Sequence, residues 1–364
     1  MSRPKPRWRG RLVLGASAAL AILAGPSAAG AMADPGALYS QTNDPAGNVV
    51  QKFNRGAGGE LSPAGTFSTG GIGLAALGGR QGAVELSDDE STVYAVNAGS
   101  SSVSVLRVTK GGLELEDVVA SGGAAPASVD ERDGRVWVLN SGGTPNVTAF
   151  RATRGSLAPI AGGTRDLPGA LGAAQVTAAP DGKRLVVSER LSNRLETLAL
   201  DIAGRPGAPV VTGSSGAVPF GFALGHRGDV IVSEAGASTV SSYRPGASGA
   251  LSAITGSLPV GFGAACWVAV SPNGKLVYTG NASGSISGFA IDTDGSLSAT
   301  GATVFVPSPR ELDFSRNGRF LYAISPGNAA TGGRVTGYRV AVDGSLEQVT
   351  SVPAAAGLTG AAAG

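Results

Sequence analysis

The chain is short of metal-ligating and redox-active side chains. It has one Cys and one His in 364 residues. Cys266 therefore cannot form an internal disulfide, and the fold has to hold by packing. A single histidine, His226, excludes a metal site built on several imidazoles. It lies in a turn-like stretch with Arg227-Gly228-Asp229, which also argues against a Ser-His-Asp triad. There is no Cys pair, no P-loop lysine and no Trp-Asp repeat signature. Aromatic residues make up 5% of the chain and charged residues 15%, which suits an exported sheet protein and names no ligand.

Acidic residues are absent from the first 33 positions. Arg3, Lys5, Arg7, Arg9 and Arg11 precede an apolar run from Leu12 to Ala24, and Ala31-Met32-Ala33 follows. This is the layout of a secretory signal peptide cleaved after Ala33. The apolar run is too short to span a bilayer comfortably. The expected organisation is a signal peptide over 1–33 and one domain over 34–364, with no membrane span after cleavage. The expected location is secreted, extracellular or at the cell envelope, and the expected state is a monomer. Residues 1–33 hold five basic side chains, so the remainder has 23 Lys+Arg against 26 Asp+Glu, a net charge of −3. Without a basic stripe, nucleic acid is not an expected partner.

Glycine is abundant, at 58 residues, and it marks a repeat of a little under fifty residues. Each unit reads as a turn, an apolar run ending in Asn or Glu, a Gly/Ser turn, a second apolar run and Gly-Ser-Leu. Asp181-Gly182-Lys183 leads into Leu185-Val186-Val187-Ser188-Glu189. Asn273-Gly274-Lys275 leads into Leu276-Val277-Tyr278-Thr279-Gly280-Asn281. Asn317-Gly318-Arg319 leads into Phe320-Leu321-Tyr322-Ala323-Ile324. Weaker copies start at Asp88-Asp89, Asp133-Gly134 and Arg227-Gly228. A repeat of this length made only of short strands predicts an all-β seven-bladed β-propeller of four-stranded antiparallel blades. Third strands fall near Val49, Val103, Val147, Leu195, Val240, Ile286 and Val335. The first blade lacks an inner strand, and the apolar run Ala355-Ala356-Gly357-Leu358-Thr359 is left over. The C-terminal segment is expected to close the ring as that inner strand, which removes a free sheet edge.

In such a blade the start of the inner strand and the end of the second strand share one face. Residues there crowd one mouth of the central channel, the default ligand site. Second strands end in Asn43, Asn97, Asn140, Glu189, Glu234 and Asn281, and the two glutamates break the series. Glu189 and Glu234 could perform acid/base work or hold a cation. The alternative is a Glu-Arg ion pair bridging blades, since Arg190 and Arg194 accompany Glu189. Inner-strand starts carry Gln81, Gln175, Cys266-Trp267 and Arg310-Glu311. Arg310 could grip a carboxylate or phosphate through its planar fork, or pair with its own neighbours. Asn146-Val147-Thr148 and Asn281-Ala282-Ser283 match the glycosylation acceptor and also fit ordinary turns.

The Asp292-Thr293-Asp294-Gly295-Ser296-Leu297 and Ser315-Arg316-Asn317-Gly318-Arg319-Phe320-Leu321-Tyr322 runs, with the Val240-Ser241-Ser242-Tyr243-Arg244 strand, resemble the lactonase-type seven-bladed propellers. That family includes 6-phosphogluconolactonase and 3-carboxy-cis,cis-muconate cyclase. The resemblance covers about residues 36 to 360. It implies hydrolysis or formation of a lactone ring by acid/base groups at the channel mouth. Family members often show His where this chain has Glu311, and another His in the first residues of an inner strand, where it has Gly172-Ala173-Ala174-Gln175. An acid/base role then falls to carboxylates, which need raised pKa values to serve. The functional expectation is an exported lactonase-family protein acting on a small acidic lactone. Glu189, Glu234 and Glu311 are its candidate catalytic groups. Arg310, Arg190, Gln175 and Gln81 are the candidate substrate contacts, and no cofactor or metal is expected. The alternative is a non-catalytic secreted propeller that binds a small acidic ligand or a protein partner.

Overall fold

The computed structural model describes residues 1–2, 35–74 and 81–364. Residues 3–33 of the expected signal peptide lie outside the described residues. Asp34–Gly364 forms one compact unit. Its described residues contain no helix; they form seven four-stranded antiparallel sheets. The expected seven-bladed propeller is the observed fold.

Blade 1 pairs Thr359–Ala363 with Gly36–Gln41, Val49–Arg55 and Leu61–Ser68. Blades 2 to 7 follow in chain order. Their inner strands are Val84–Leu86, Ala124–Arg132, Ala173–Ala178, Pro219–Leu224, Ala265–Val270 and Glu311–Phe314. All seven third strands lie where the repeat placed them, from Val49–Arg55 to Gly332–Val340. Second strands such as Val136 to Asn140 are buried on both faces because each blade is covered by two neighbours. Outer strands such as Leu61–Ser68 are largely exposed, which is why they read as polar and irregular.

The core is a set of slabs between blades rather than one central mass. Trp137 and Leu139 of blade 3 pack on Val176 and Leu185 of blade 4. Val186 and Leu195 of blade 4 pack on Phe222 and Tyr243 of blade 5. Leu38 and Phe53 of blade 1 pack on Phe320 and Tyr322 of blade 7, so the ring is closed by the same kind of contact. Burying each such side chain contributes roughly 1.5–3 kcal/mol.

Ring closure uses the C-terminal strand, as expected. Leu38 faces Ala363, Tyr39 faces Ala362 and Gln41 faces Thr359. The strand is Thr359–Ala363, four residues beyond the run read from the sequence, because Gly357 turns the chain at φ 75°. Arg316 of blade 7 reaches past this strand to blade 2. It donates to Ser87 O at 2.9 Å and Asp88 O at 2.8 Å and pairs with Glu90 at 2.7 Å.

Candidate active site

Each inner strand turns one edge to the channel, and the N–H groups on that edge need acceptors. Side chains of the preceding blade supply them. Ser128 Oγ accepts from Val176 N at 3.2 Å, and Asp130 Oδ2 accepts from Ala178 N at 3.0 Å. Gln175 Oε1 accepts from Phe222 N at 2.8 Å, and Asp313 Oδ2 accepts from Ala363 N at 2.8 Å. Gln81 departs from this rule. It belongs beside blade 2, yet its Oε1 accepts from Val268 N at 3.1 Å in blade 6. Its Nε2 donates to Val268 O at 2.6 Å and Phe222 O at 3.3 Å. Blades 2 and 6 are not neighbours, so Gln81 crosses the channel. Gln175 Nε2 donates to the same Phe222 carbonyl at 2.9 Å. The two amides form a crossbar.

Beyond the crossbar lies a cavity of about 360 Å³, bordered by Glu85, Asp130, Glu311 and Asp313. Asp88, Arg132, Pro180 and Arg316 border it where the inner strands turn back. Glu85, Asp130 and Asp313 hold equivalent places in the repeat, paired with Tyr94, Trp137 and Tyr322 of their second strands. The matching residues of blades 1, 4 and 6 are Ala362, Thr177 and Ala269. The carboxyls thus gather on blades 7, 2 and 3, around the closure.

Their electrostatics follow from crowding in the channel wall. Burial pushes Asp130 up to about 7, against the pull of the Ala178 N–H and Arg132. Burial likewise pushes Asp313 up to about 7, against the N–H groups of Ala363 and Phe314. Burial, then repulsion from Asp130 and Asp313, holds Glu85 well above the usual carboxylate range. Glu311 is raised by burial and by Asp313. Among the described residues, the Glu85 carboxyl has no hydrogen bond or ion pair, and no three His, Cys, Asp or Glu side chains are grouped to hold a metal.

The residues singled out from sequence divide among three places. Gln81, Gln175 and Glu311 border the chamber. Glu311 is 1% exposed, and its Oε2 has no partner. Arg190 and Arg310 lie at the other end of the channel, where inner strands begin. Arg190 stands 5.0 Å over the Phe220 ring and Arg310 stands 5.6 Å over Trp267. Phe220 and Trp267 meet edge to face at 5.4 Å. Burial pushes the nearby Cys266 thiol up to about 11, although both guanidiniums favour its thiolate.

Glu189 and Glu234 reach neither end; they are sealed inside their blades. Glu189 Oε2 accepts from Arg194 Nε at 2.8 Å and from Ser192 Oγ, and Arg194 Nη2 reaches Glu196 at 3.0 Å. This ion pair joins two strands of one blade rather than bridging two blades. Glu234 accepts from Gly216 N at 2.7 Å, Ser241 Oγ at 2.8 Å and Thr239 Oγ1. Asn97 makes the same reach to Ser102 and Ser104, and Asn281 to Ser285 and Ser287. The position is a polar knot between the second and third strands, and glutamate fills it where the partners differ. Both glycosylation matches place their asparagines in blade interiors, with Asn146 at 7% and Asn281 at 0% exposure.

Sequence reading missed Glu85, Asp130 and Asp313. A signal was present, because each is a carboxylate in an inner strand at one fixed place in the repeat. Glu85 and Asp313 also have apolar residues on both sides.

Comparison with known proteins fits this architecture. Residues 277–361 match the family model described as Lactonase, 7-bladed beta-propeller. The resemblance carried by the repeat motifs is borne out there, over most of blades 6 and 7 and part of the closing strand. A Bacteroides uniformis protein described as a "putative 6-phosphogluconolactonase" superposes with a TM-score of 0.73 at 21% identity, over 90% of this chain and 99% of that one. The periplasmic gluconolactonase of Pseudomonas aeruginosa superposes with a TM-score of 0.69 at 17% identity, over 90% of this chain and 98% of that one. At such identities the likeness is one of fold. A comparison with curated proteins finds no match.

Proposed function

We propose that the protein is an exported lactone hydrolase whose chemistry occupies the carboxyl-lined chamber. The observation that carries this reading is the set of Glu85, Asp130 and Asp313 around one cavity, each raised above the usual carboxylate range. Carboxyls raised toward neutral pH can exchange protons with a reacting group as acid or base. Asp130 has one oxygen tied to Ala178 N, which leaves Oδ1 to act as base. It takes a proton from water as the water oxygen attacks the lactone carbonyl. Glu85, whose carboxyl is held well above the usual carboxylate range, gives its proton to the ring oxygen as the C–O bond breaks, and the product is a hydroxy acid. Arg132 borders the chamber and would hold an acidic or hydroxyl group of the substrate. A cavity of about 360 Å³ suits a sugar-sized ring. The gluconolactonase name of one structural neighbour supports a lactone as the class. Of the carboxylates read from sequence, only Glu311 borders the chamber, and its enclosed Oε2 makes it a neighbour of the reaction rather than its base.

Hydrolysis of a lactone panel followed by pH-stat tests this. Glu85→Gln and Asp130→Asn are each expected to lower kcat by roughly 10²–10⁴-fold. Glu189→Gln and Glu234→Gln are expected to leave turnover intact in whatever fraction folds. No turnover on any lactone by folded protein would sink the proposal. Loss confined to Arg190 or Arg310 variants would move the site to the opposite end of the channel.

A second reading has an observation of its own. Asp130 and Asp313 accept strand-edge N–H groups, the task that Ser128 and Gln175 perform elsewhere. Carboxyls kept for that purpose would leave a binding propeller without turnover. Saturable lactone binding with no hydrolysis would favour it.

A further inference from the structure

A cleft of about 240 Å³ opens on the turn side between blades 4 and 5, lined by Arg184, His226, Arg227 and Arg244 with Asp181 and Pro180. The positive groups there outnumber the acceptors. Arg244 donates through Nε and Nη2 to Asp229 at 3.1 and 3.2 Å, and also to Asp294 O. Arg227 meets the same carboxylate only at 3.5 Å. Asp181 Oδ1 already accepts from Lys183 N at 3.0 Å. The Arg184 side chain has no ion pair or hydrogen bond among the described residues, and its Nη1 is closed to solvent without an acceptor. A guanidinium nitrogen shielded from water and left unpaired is costly unless an acceptor arrives. The imidazole of His226 packs over Gly274 of blade 6, where a Cβ would lie 2.4 Å from its Cδ2. That contact fixes a third donor group at the cleft.

We propose that this cleft binds a tetrahedral oxyanion, a phosphate or sulfate group, with Arg184 and Arg227 as direct donors and His226 beside them. Arg forks match oxyanion geometry with paired N–H groups, and donors converging from two neighbouring blades suit a tetrahedral group better than a planar carboxylate. The cleft shares no residue with the acid/base set of the chamber, so either proposal can fail while the other stands.

His226 is the only histidine in the chain, so its ring resonances report on the cleft without assignment ambiguity. Inorganic phosphate, added to the full chain at constant ionic strength, is expected to shift them saturably in the millimolar range. Arg184→Gln is expected to weaken that binding at least tenfold, and Arg227→Gln several-fold. Melting temperature serves as the folding control, and Arg184→Lys, which keeps charge and loses the fork, should bind between wild type and Arg184→Gln. A shift reproduced by chloride alone, or one unchanged in folded Arg184→Gln, overturns the proposal. Polyphosphate binding at least tenfold tighter than phosphate assigns the group to a polymer, and equal affinity assigns it to a free ion.

Discussion

Asp130 has two duties that pull on its ionisation in opposite directions. Its Oδ2 accepts an N–H from the next blade, which favours the charged form, while its buried place favours the neutral one. Burial wins, and the carboxyl sits near 7 instead of the ordinary 3.8. The folded chain therefore holds this proton more tightly than the unfolded chain. The stability it contributes is full below about pH 4, shrinks as pH rises and is lost once pH passes about 7. Asn at 130 can still accept from Ala178 N and cannot ionise. Between pH 4 and pH 8 the stability of Asp130→Asn relative to wild type is expected to improve by roughly 4 kcal/mol, about 6 °C in Tm. Melting curves across that range decide it, and a constant difference would show that Asp130 titrates normally. The same residue shows what the sequence conveyed. Glu189 and Glu234 stood out because they interrupt a run of asparagines, yet the interruption only matches partners five and seven positions on. Glu85, Asp130 and Asp313 drew no notice, because their meaning lies in a register shared by three blades and not in any local pattern.

The closing strand shows the limit of pattern reading for an element. A missing first inner strand and an unused apolar tail were enough to predict that the C-terminus completes blade 1. They were not enough to fix its position, because hydropathy cannot distinguish Ala355 to Thr359 from Thr359 to Ala363. Close approach does distinguish them. A Cβ on Gly360 would lie 2.7 Å from Val84 N, so only the smallest residue fits beside blade 2 there. Arg55 Nη2 donates to Gly364 O at 2.8 Å, and Ser40 Oγ donates to Gly360 O at 2.6 Å. Removing Thr359 to Gly364 would free the edge of Gly36–Gln41 and strip acceptors and cover from two interblade cores. The truncated protein is expected to melt more than 10 °C lower and to associate through its open edge. Scanning calorimetry with a sedimentation profile tests this. An unchanged Tm would mean that the strand caps the ring without closing it.

Across the whole molecule, cohesion runs around the ring, since the hydrophobic clusters lie between neighbouring blades. That much follows from a repeat whose second strands are apolar on both faces. A contact across the channel does not follow from it. Gln81 and Val268 are 187 positions apart, and no periodicity relates them. Gln81 nevertheless ties blade 2 to blade 6 through both of its amide atoms and to blade 5 through Phe222 O. It also separates the carboxyl chamber from the end that holds Arg190 and Arg310. Gln81→Ala would leave the Val268 N–H without that acceptor and would open a route between the two ends. The expected cost is about 1–3 kcal/mol, with faster hydrogen exchange at the Val268 amide. The Val176 amide, held by Ser128 Oγ, should exchange as before, which separates a lost crossbar from general loosening. If both amides keep their protection, the ring carries its own rigidity. The crossbar then serves only to close one end of the chamber.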